Sequence, residues 1–473
     1  MKAHFIGICG KGMSGVAVML KQKGWTISGS DEGSYEPVFS YLNRAGIPFA
    51  PSYALENIPS DADLIVVGKH ARLVPEENEE VRAAFASGKK IVSFPEVLAE
   101  LSQNSDNIII TGSFGKSTCT ALLSWCLVHA GKDPSYFIGA VPFDLKENAH
   151  LGTGTEFVIE GDEYPASNWT TDAKFLFYTP HTVLLTSGEH DHLNVFPTEE
   201  SYLIPYQKLV AKMTPNDILM ACKTGKNIEK IISGAQARVV TYGLDTTADW
   251  HAKNIYYGHT TRFDLYHGDE KITALTTTQL GTHSIENIVG VAGLVLEKKL
   301  LTIEELASGI AVFSGISGRL DRKHAHSNVN IYEVFGSSQT KLSASLTALK
   351  LHFPERRIIA VFEPHTFSWR NRSALPWYAG IFDGTEAVLV FEPPTHGAST
   401  HDQLSLDEIV AKIGETHAKV FPFHTKEEGL EKLSSLLQAD DIVLLITSGG
   451  LGGIIPEVGP LTERLFPVEN AKA

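Results

Sequence analysis

Hydrophobic and polar positions come in blocks that predict buried strands, each followed by a glycine turn and a helix. His4–Ile8 is a short apolar run, and helical spacing follows from Met13 to Lys23. Gly24 ends this predicted helix, because glycine at a helix C-terminus adopts the left-handed conformation without strain. Another apolar strand follows at Asp63–Gly68. This alternation of strands and helices is typical of a parallel α/β sheet.

Two further units repeat this alternation of strands and helices. The second opens with the strand Asn107–Thr111 and the helix Lys116–His129, and its residues 252–280 alternate as in an antiparallel extension. The third begins near Gly318. The other strands predicted in these units are Glu156–Ile159, Thr182–Thr186, Asp217–Met220, Arg238–Tyr242, Val329–Val334, Arg357–Phe362, Ala387–Phe391, Lys419–Phe423 and Asp441–Thr447. We therefore predict an α/β protein with domains at residues 1–105, 106–317 and 318–473.

Composition and charge exclude several classes of function. The 473 residues exceed the about 250–300 that one hydrophobic core holds, which agrees with several domains. The net charge of −15 repels nucleic-acid phosphates and anionic lipids. No apolar run reaches the about 20 residues of a membrane span, a signal-peptide pattern is lacking, and the four cysteines form no CxxC pair. We predict a cytoplasmic enzyme or binding protein without a nucleic-acid or membrane partner.

The first candidate site is a glycine-rich turn between the first strand and the first helix. Gly10-x-Gly12-x-x-Gly15 matches the dinucleotide fingerprint, in which backbone N–H groups at a helix N-terminus bind a diphosphate. Asp31 follows the next strand, where a carboxylate can accept a hydrogen bond from a sugar hydroxyl. These residues fit NAD(P) and a nucleotide-diphosphate sugar equally well, and a tight turn without a ligand is the third possibility.

The second candidate site is Thr111–Thr118, which follows a strand and starts a helix. Its backbone amides can bind phosphates, Lys116 can reach the outer phosphates, and the Ser117 hydroxyl can bind Mg²⁺. Ile110 stands where a strict Walker A sequence has its first glycine. We interpret the segment as a phosphate-binding loop.

Two polar segments downstream can serve this loop. Glu160–Glu163 follows a buried strand, where acids are placed to hold Mg²⁺ directly or through water. Glu189–His192 contains a His-x-His pair, but no cysteine or third histidine stands at zinc-finger spacing. A solvated turn is the alternative interpretation of either segment.

Taken in order, these motifs resemble those of the Mur ligase family, the ATP-dependent amide-forming enzymes of peptidoglycan assembly. Gly7–Gly15 with Ser28–Asp31 is similar to the UDP-binding start of the family, and Thr111–Thr118 to its ATP loop. The remaining matches are Glu160–Glu163 with the acidic EADE motif, Asp191-His192 with the DH pair, Gly281–Asn287 with the GxHNxxN segment, and Phe313–Ile316 plus Arg319 with the hinge.

The resemblance implies a Rossmann-like N-terminal domain, a central P-loop ATPase domain and a Rossmann-like C-terminal domain. It implies UDP-N-acetylmuramate at Gly10, Gly12, Met13, Ser14, Gly15, Ser30 and Asp31. It implies ATP at Gly112, Ser113, Gly115, Lys116, Ser117, Thr118, His283, Asn287, Arg319 and Glu333, and Mg²⁺ at Ser117, Glu160 and His192. Lys116, Glu160, His192 and Arg319 are the implied catalytic residues. It further implies that ATP phosphorylates the muramoyl carboxylate to an acyl phosphate, which an amine then attacks, and we expect a monomer or a weak homodimer.

The identity of the amine depends on the third domain. Cys9, Phe391–Pro394 and Ser448–Gly453 favour the tripeptide L-Ala-γ-D-Glu-meso-diaminopimelate, used in peptidoglycan recycling, and L-alanine is the alternative. Arg370 and Arg372 are candidate partners for the tripeptide's distal charges, or else solvated surface charges.

One loop departs from the family pattern. At Gly336–Gln339, Ser337 and Ser338 replace two histidines of the family, which allows a relative with altered amine specificity or reduced activity. A dehydrogenase is the rival class, but it leaves the loop before Lys116 unexplained.

Overall fold

The first sheet is built from the N-terminal strand–turn–helix repeats. Its strands are β1 (Lys2–Ile6), β2 (Thr26–Ser30), β3 (Phe49–Ala50), β4 (Leu64–Val67) and β5 (Lys90–Val92), and its helices are α1 (Lys11–Gln22), α2 (Val38–Arg44), α3 (Glu79–Ala86) and α4 (Phe94–Ser102). All strands are parallel, in the order β3-β2-β1-β4-β5. The order reverses beside β1, and in such sheets ligands bind outside the carboxyl ends of the strands at this point.

The second sheet has ten strands and carries the predicted phosphate loop. Its parallel centre contains β6 (Asp106–Thr111), β7 (Ser135–Phe137), β9 (Glu156–Gly161), β10 (Thr182–Leu185), β11 (Ile218–Cys222) and β12 (Arg238–Gly243). The strands toward its two edges are β8 (Ala149–His150), β13 (Trp250–Tyr256), β14 (Thr261–His267) and β15 (Glu270–Thr277). The order is β15-β14-β13-β12-β11-β10-β6-β9-β7-β8, and β13 pairs antiparallel with β14, as the alternation predicted.

Five helices accompany this second sheet. They are α5 (Lys116–His129), α6 (Glu199–Ala211), α7 (Ile228–Ile232), α8 (Thr282–Glu297) and α9 (Ile303–Val312). The bounds of α5 are those predicted, since Gly115 and Gly131, both with positive φ, flank the helix.

The third sheet has the order β16-β17-β21-β18-β19-β20. Its strands are β16 (Arg319–Lys323), β17 (Asn330–Phe335), β18 (Ile358–Phe362), β19 (Ala387–Phe391), β20 (Val420–Phe423) and β21 (Ile442–Thr447), and its helices are α10 (Gln339–His352), α11 (Phe367–Arg370), α12 (Leu406–Gly414), α13 (Lys426–Leu436) and α14 (Ile455–Leu465). Strand β18 is buried on both faces, with Ile358, Ala360 and Phe362 in one core and Ile359 and Val361 in the other. This explains its unbroken apolar run.

The computed structural model describes residues 1–33, 36, 38–192, 195–323, 326–395 and 402–468. These residues divide into two units, one of residues 1–256, 262–278 and 285–315 and one of residues 257–261, 279–284 and 316–473. The predicted α/β class with three sheets is confirmed. The domain boundaries at 105/106 and 317/318 stay predictions, because the first two sheets belong to one unit.

Candidate active site

The phosphate loop has the strand–turn–helix setting that the sequence predicts. Strand β6 ends at Thr111, and α5 begins at Lys116. Gly112 has φ +132°, and a Cβ atom there would lie 2.2 Å from the Thr186 hydroxyl oxygen, so only glycine fits. The amide oxygen of Asn287 lies against Gly115, which places this predicted residue at the loop. The loop can therefore direct backbone N–H groups at phosphates from the N-terminus of a long helix.

Two carboxylates from the end of β9 meet the first turn of α5. The ammonium of Lys116 lies 2.8 Å from Glu163 Oε2 and donates to the Gly112 carbonyl at 2.5 Å. The Ser117 hydroxyl donates to Glu160 Oε1 at 2.8 Å, and the other oxygen of Glu160 accepts from the Gly139 N–H at 2.6 Å. The predicted residues Lys116, Ser117 and Glu160 are thus brought together.

Burial and charge shift the ionisation of this cluster. The side chain of Glu163 is 1% exposed, and this burial alone would raise its pKa. The charge of Lys116 and the hydrogen bond from His192 outweigh burial and lower the pKa to about 2. Burial disfavours the ammonium of Lys116, yet Glu163 and Asp162 outweigh it and raise its pKa. Burial raises the pKa of Glu160, although the Gly139 N–H and the Ser117 hydroxyl oppose the shift. Lys116 and Glu163 therefore each stabilise the charged form of the other.

His192 joins the cluster through Glu163 and not through Glu160. Its Nε2 lies 3.4 Å from Glu163 Oε1, and its Nδ1 is 2.8 Å from the Tyr164 hydroxyl. Its φ of +58° is uncommon for a residue other than glycine and is the kind of strain that collects at functional sites. Glu163 belongs to the acidic segment 160–163 that was predicted to hold Mg²⁺, and its observed partners are Lys116 and His192.

The oxygens at the loop suit a hard cation. Mg²⁺ prefers one or two carboxylates plus phosphates and waters, and Ser117 with Glu160 provides a hydroxyl and a carboxylate. Within the described ranges, no three side chains of the His, Cys, Asp or Glu type form a metal-holding group. Ser117 and Glu160 therefore suit a Mg²⁺ ion, while the role of His192 as a metal ligand stays a prediction.

The glycine loop of the first sheet is ordered around Asp31. Its carboxylate accepts from the Cys9 N–H at 2.8 Å and the Gly33 N–H at 3.0 Å. The predicted residue Ser30 is fully buried, and its hydroxyl donates to Glu80 at 2.8 Å, so it faces the interior. A Cβ on Gly15 would lie 3.0 Å from that of Ala149, so glycine allows α1 to approach β8.

The other residues of the glycine fingerprint lie on α1 or next to it. Gly12 lies under the ring of Phe94, and Met13 is buried in the core that α1 shares with the second sheet. Gly10 is the N-cap of the helix and has no side-chain cap, so the first N–H groups of α1 are directed outward from the turn.

A cavity of about 120 Å³ lies beside the start of α1. Lys11, Arg44 and Lys146 contribute three cationic side chains to its lining, and Glu147 contributes one carboxylate, which pairs with Arg44 at 3.1 Å. Gly139 also lines it, and the N–H of this residue binds Glu160 at the phosphate loop. The cavity thus adjoins both candidate sites and suits an anionic ligand; Arg44 and Lys146 were missed because nothing near them in sequence marks a site.

Three further predicted residues belong to the second unit. Arg319 on β16 lies with its guanidinium 5.5 Å from the centre of the Phe335 ring, and Glu333 on β17 pairs with Lys323 at 2.9 Å. His283 lies in the first turn of α8. Their predicted contacts with ATP stay predictions.

The carboxyl ends of β18 and β21 meet in a polar cluster. The buried carboxylate of Glu363 accepts hydrogen bonds from the Thr447 hydroxyl and, at 2.8 Å, from the Leu451 N–H. Its other oxygen lies 3.1 Å from His365 Nδ1. Long-range pairing of two parallel strands creates this cluster, so local sequence could not predict it.

The loop that departs from the family pattern has a clear structural role. Ser338 caps α10 by accepting from the Lys341 N–H, and Lys341 Nζ donates to the Ser337 hydroxyl at 2.7 Å. The Trp369 ring N–H donates to the Gly336 carbonyl at 2.7 Å. The two serines therefore keep the turn ordered without the imidazoles.

The two arginines considered for a peptide are paired within the chain. Arg370 is 4% exposed and donates to the Pro394 carbonyl at 2.8 Å. Arg372 lies 2.6 Å from both Asp402 and Glu408. Arg370 is therefore a buried charge, whereas Arg372 is an exposed surface charge that is paired with two carboxylates.

A strand–loop–helix turn of this geometry, with a lysine and two carboxylates beside it, is typical of enzymes that transfer a phosphoryl group from a nucleotide. Three family profiles match successive parts of the chain: "Mur ligase family, catalytic domain" at residues 2–105, "Mur ligase middle domain" at 110–295 and "Mur ligase, glutamate ligase domain" at 318–449. The chain belongs to the Mur ligase family, as its motifs predicted, and is an ATP-dependent ligase.

Individual relatives agree with this family. The UDP-N-acetylmuramate–L-alanine ligase of Endomicrobium trichonymphae is 30% identical over 447 residues, which are 94% of this chain and 95% of that protein. The enzyme of the same name from Chlorobium phaeobacteroides is 31% identical over 389 residues, or 82% and 81% of the two chains.

Solved structures share the fold. The UDP-N-acetylmuramate–alanine ligase of Thermotoga maritima has a TM-score of 0.78 at 20% identity and covers 98% of this chain and 99% of its own. A murein peptide ligase from Psychrobacter arcticus has a TM-score of 0.69 at 20% identity, with 99% and 100% covered. No helix in the described part of the chain combines the length and apolar character of a membrane crossing.

Proposed function

We propose that this enzyme joins the carboxylate of UDP-N-acetylmuramate to an amine while ATP is converted to ADP and phosphate. The observation that carries the proposal is the set of contacts through Glu160, which binds Ser117 of the phosphate loop and Gly139 of the cavity beside α1. A sugar nucleotide at the glycine loop and ATP at the phosphate loop would meet at this carboxylate. Both ligands are cytosolic compounds, so the proposed location is the cytoplasm.

Two successive bond changes make up the proposed reaction. A carboxylate oxygen of the sugar attacks the γ-phosphorus of ATP, the bond to the bridging oxygen breaks, and ADP leaves. The amine nitrogen then attacks the carbonyl carbon of the acyl phosphate, the bond to phosphate breaks, and the nitrogen loses a proton. Enzymes promote such transfers chiefly by positioning the reactants and stabilising charge.

Residues of this chain supply both effects. The raised pKa of Lys116 keeps its ammonium charged beside the outer phosphates. Ser117 and Glu160 would hold Mg²⁺, which supplies neutralising charge to the phosphate oxygens when bound. Glu163 holds Lys116 in place at 2.8 Å and also orients His192.

We infer that the amine is L-alanine, the alternative that sequence analysis kept beside the tripeptide. The curated relatives given above carry the name of the alanine ligase, at 30% and 31% identity. Arg370 and Arg372, the candidate partners for a tripeptide, are bound to groups of the chain itself. The tripeptide remains the second candidate, because the fold is shared with a murein peptide ligase as well.

A competition assay decides between the two amines. Enzyme with UDP-N-acetylmuramate, ATP and Mg²⁺ receives L-alanine and L-Ala-γ-D-Glu-meso-diaminopimelate at equal concentration, and mass spectrometry identifies the product. We expect UDP-N-acetylmuramoyl-L-alanine to predominate. A product that carries the tripeptide would reverse the assignment, and consumption of neither amine would indicate a relative with another specificity.

The first domain is expected to bind a UDP sugar and not a nicotinamide cofactor. A ligand that binds only the native state raises the melting temperature, and at 100 times Kd the stabilisation is about 2.7 kcal/mol. The melting temperature should therefore rise with UDP-N-acetylmuramate and stay unchanged with NADH at the same concentration. A shift with NADH alone would support the dehydrogenase class.

A further inference from the structure

Two lysines from different sheets lie around one tyrosine next to the phosphate loop. Lys69 follows β4 of the first sheet, and Lys174 lies in the segment between β9 and β10 of the second. The Nζ atoms of Lys69 and Lys174 lie 5.8 Å and 5.9 Å from the centre of the Tyr164 ring. Both lysines belong to the unit that contains the first two sheets. Neither is part of a motif that sequence analysis identified.

Backbone pairing holds Lys174 in this place. Its N–H donates to the Tyr164 carbonyl at 2.9 Å, and the Ala166 N–H donates to the Asp172 carbonyl at 2.9 Å. Pro165 and Ala173 form an antiparallel bridge between these bonds. Residues 162–174 therefore form a closed loop with both ends paired, which we call the 162–174 loop.

The tip of the 162–174 loop is attached to the segment that carries Lys69. The side-chain amide of Asn168 donates to the carbonyls of His70 at 2.8 Å and Leu73 at 2.9 Å. These bonds connect the first sheet to the second at the point where Lys69 emerges. The backbone segments that carry the two lysines are thus fixed next to one another.

The charges around this point do not cancel. Asp162 is 2.5 Å from Lys174 and is the acid paired with it, whereas Lys69 has no ion pair of its own among the described contacts. Desolvation, and then the charge of Lys174, lowers the pKa of Lys69. Two cations share one carboxylate, and an added anion would relieve the repulsion between them.

The pair lies next to the groups that handle phosphate. The Tyr164 hydroxyl binds His192 at 2.8 Å, and His192 lies 3.4 Å from Glu163, which holds Lys116. The charge of Asp162 also contributes to the raised pKa of Lys116. An anion between Lys69 and Lys174 would therefore stand beside the site of the outer phosphates, where reacting atoms must come within about 3–3.5 Å of each other.

We propose that Lys69 and Lys174 bind the carboxylate of UDP-N-acetylmuramate and orient it for attack on ATP. The inference rests on the proposed function, and it assigns to these residues the charged end of the lactyl ether, the substituent that UDP-N-acetylglucosamine lacks. The lysines thus confer specificity for the acid to be phosphorylated, whereas the glycine loop and its cavity bind the rest of the ligand.

Calorimetric binding of the two sugar nucleotides tests the assignment. Lys69→Met and Lys174→Met are each expected to raise the Kd for UDP-N-acetylmuramate by about 10- to 100-fold. This factor is typical of the loss of a hydrogen bond to a charged group. Binding of UDP-N-acetylglucosamine should not change, and Lys174→Arg should restore most of the lost affinity. Lys208→Met is the matched control, because this exposed lysine pairs with Asp172 of the same loop.

The possible outcomes separate the inference from the proposed function. An equal loss of affinity for both sugar nucleotides would place the lysines at the shared diphosphate or in a purely structural role, which overturns the inference. Unchanged affinity for both would overturn it as well. If the wild-type enzyme does not prefer UDP-N-acetylmuramate over UDP-N-acetylglucosamine, the proposed function itself fails. Native circular dichroism spectra of the variants exclude misfolding as a cause.

Discussion

Phosphate release from ATP is expected to fall by at least about 10²–10³-fold when Lys116 is replaced by methionine, because one preorganised charge at the reacting group typically contributes that factor. Lys116 is positioned by the buried Glu163 at 2.8 Å, at the N-terminus of α5. The assay follows phosphate release with saturating UDP-N-acetylmuramate, amine and Mg²⁺. Near-native release by a folded variant would contradict the assignment.

The design of this variant has to account for Glu163. This carboxylate is 1% exposed, so loss of its lysine partner leaves a buried charge that destabilises the fold. Lys116→Met combined with Glu163→Gln removes both charges at similar volume and should restore the melting temperature while activity stays low. Lys208→Met serves again as a surface control, and it should retain full activity.

Loss of the buried carboxylate of Glu80 is expected to destabilise the first domain by about 3–5 kcal/mol, as is typical when one partner of a buried pair is removed. Glu80 is fully buried, and its oxygens lie 2.7 Å from His4, 2.8 Å from Ser30 and 3.0 Å from both the Ala54 N–H and the Asn57 amide. Glu80→Ala leaves these groups without their common acceptor.

Glu79→Ala is the matched control, since Glu79 precedes Glu80 in the first turn of α3 but is exposed. A surface substitution of this kind changes stability by no more than about 0.5 kcal/mol. Hydrogen exchange of the β1 and β4 amides at several denaturant concentrations measures the effect within the first domain, because a chain with several domains need not unfold in one step. Equal protection in the two variants would refute a stabilising network at Glu80.

Local sequence patterns predicted most of the strands in this fold. The helix Lys116–His129 was predicted with its observed bounds, and the strand Ala387–Phe391 likewise. Such elements are bounded by glycines or built from apolar runs, and both are signals that act over a few residues. Strand β16 was not predicted, because its sequence Arg-Leu-Asp-Arg-Lys is that of a charged edge strand.

The candidate site was predictable in part for the same reason. Residues 111–118 form one continuous motif, so Lys116 and Ser117 could be assigned from spacing alone. Glu163 and Asn287 approach this loop from distant parts of the chain. Asn287 was predicted through the family resemblance, and Glu163 only as a member of the acidic segment 160–163. The identity of the amine was predicted less well. The loops after β19 and β21 favoured the tripeptide, whereas the names of the curated relatives favour L-alanine.

The sequence by itself determined the α/β rhythm, the phosphate loop and the family, because each depends on residues close together along the chain. Only the tertiary structure decided which side chains share a partner. It placed Ser30 in the interior with Glu80, joined His192 to Glu163, and brought Lys69 to the same ring as Lys174. The physical reason is that packing of strands and loops from separate parts of the chain sets these distances, and local spacing carries no information about them.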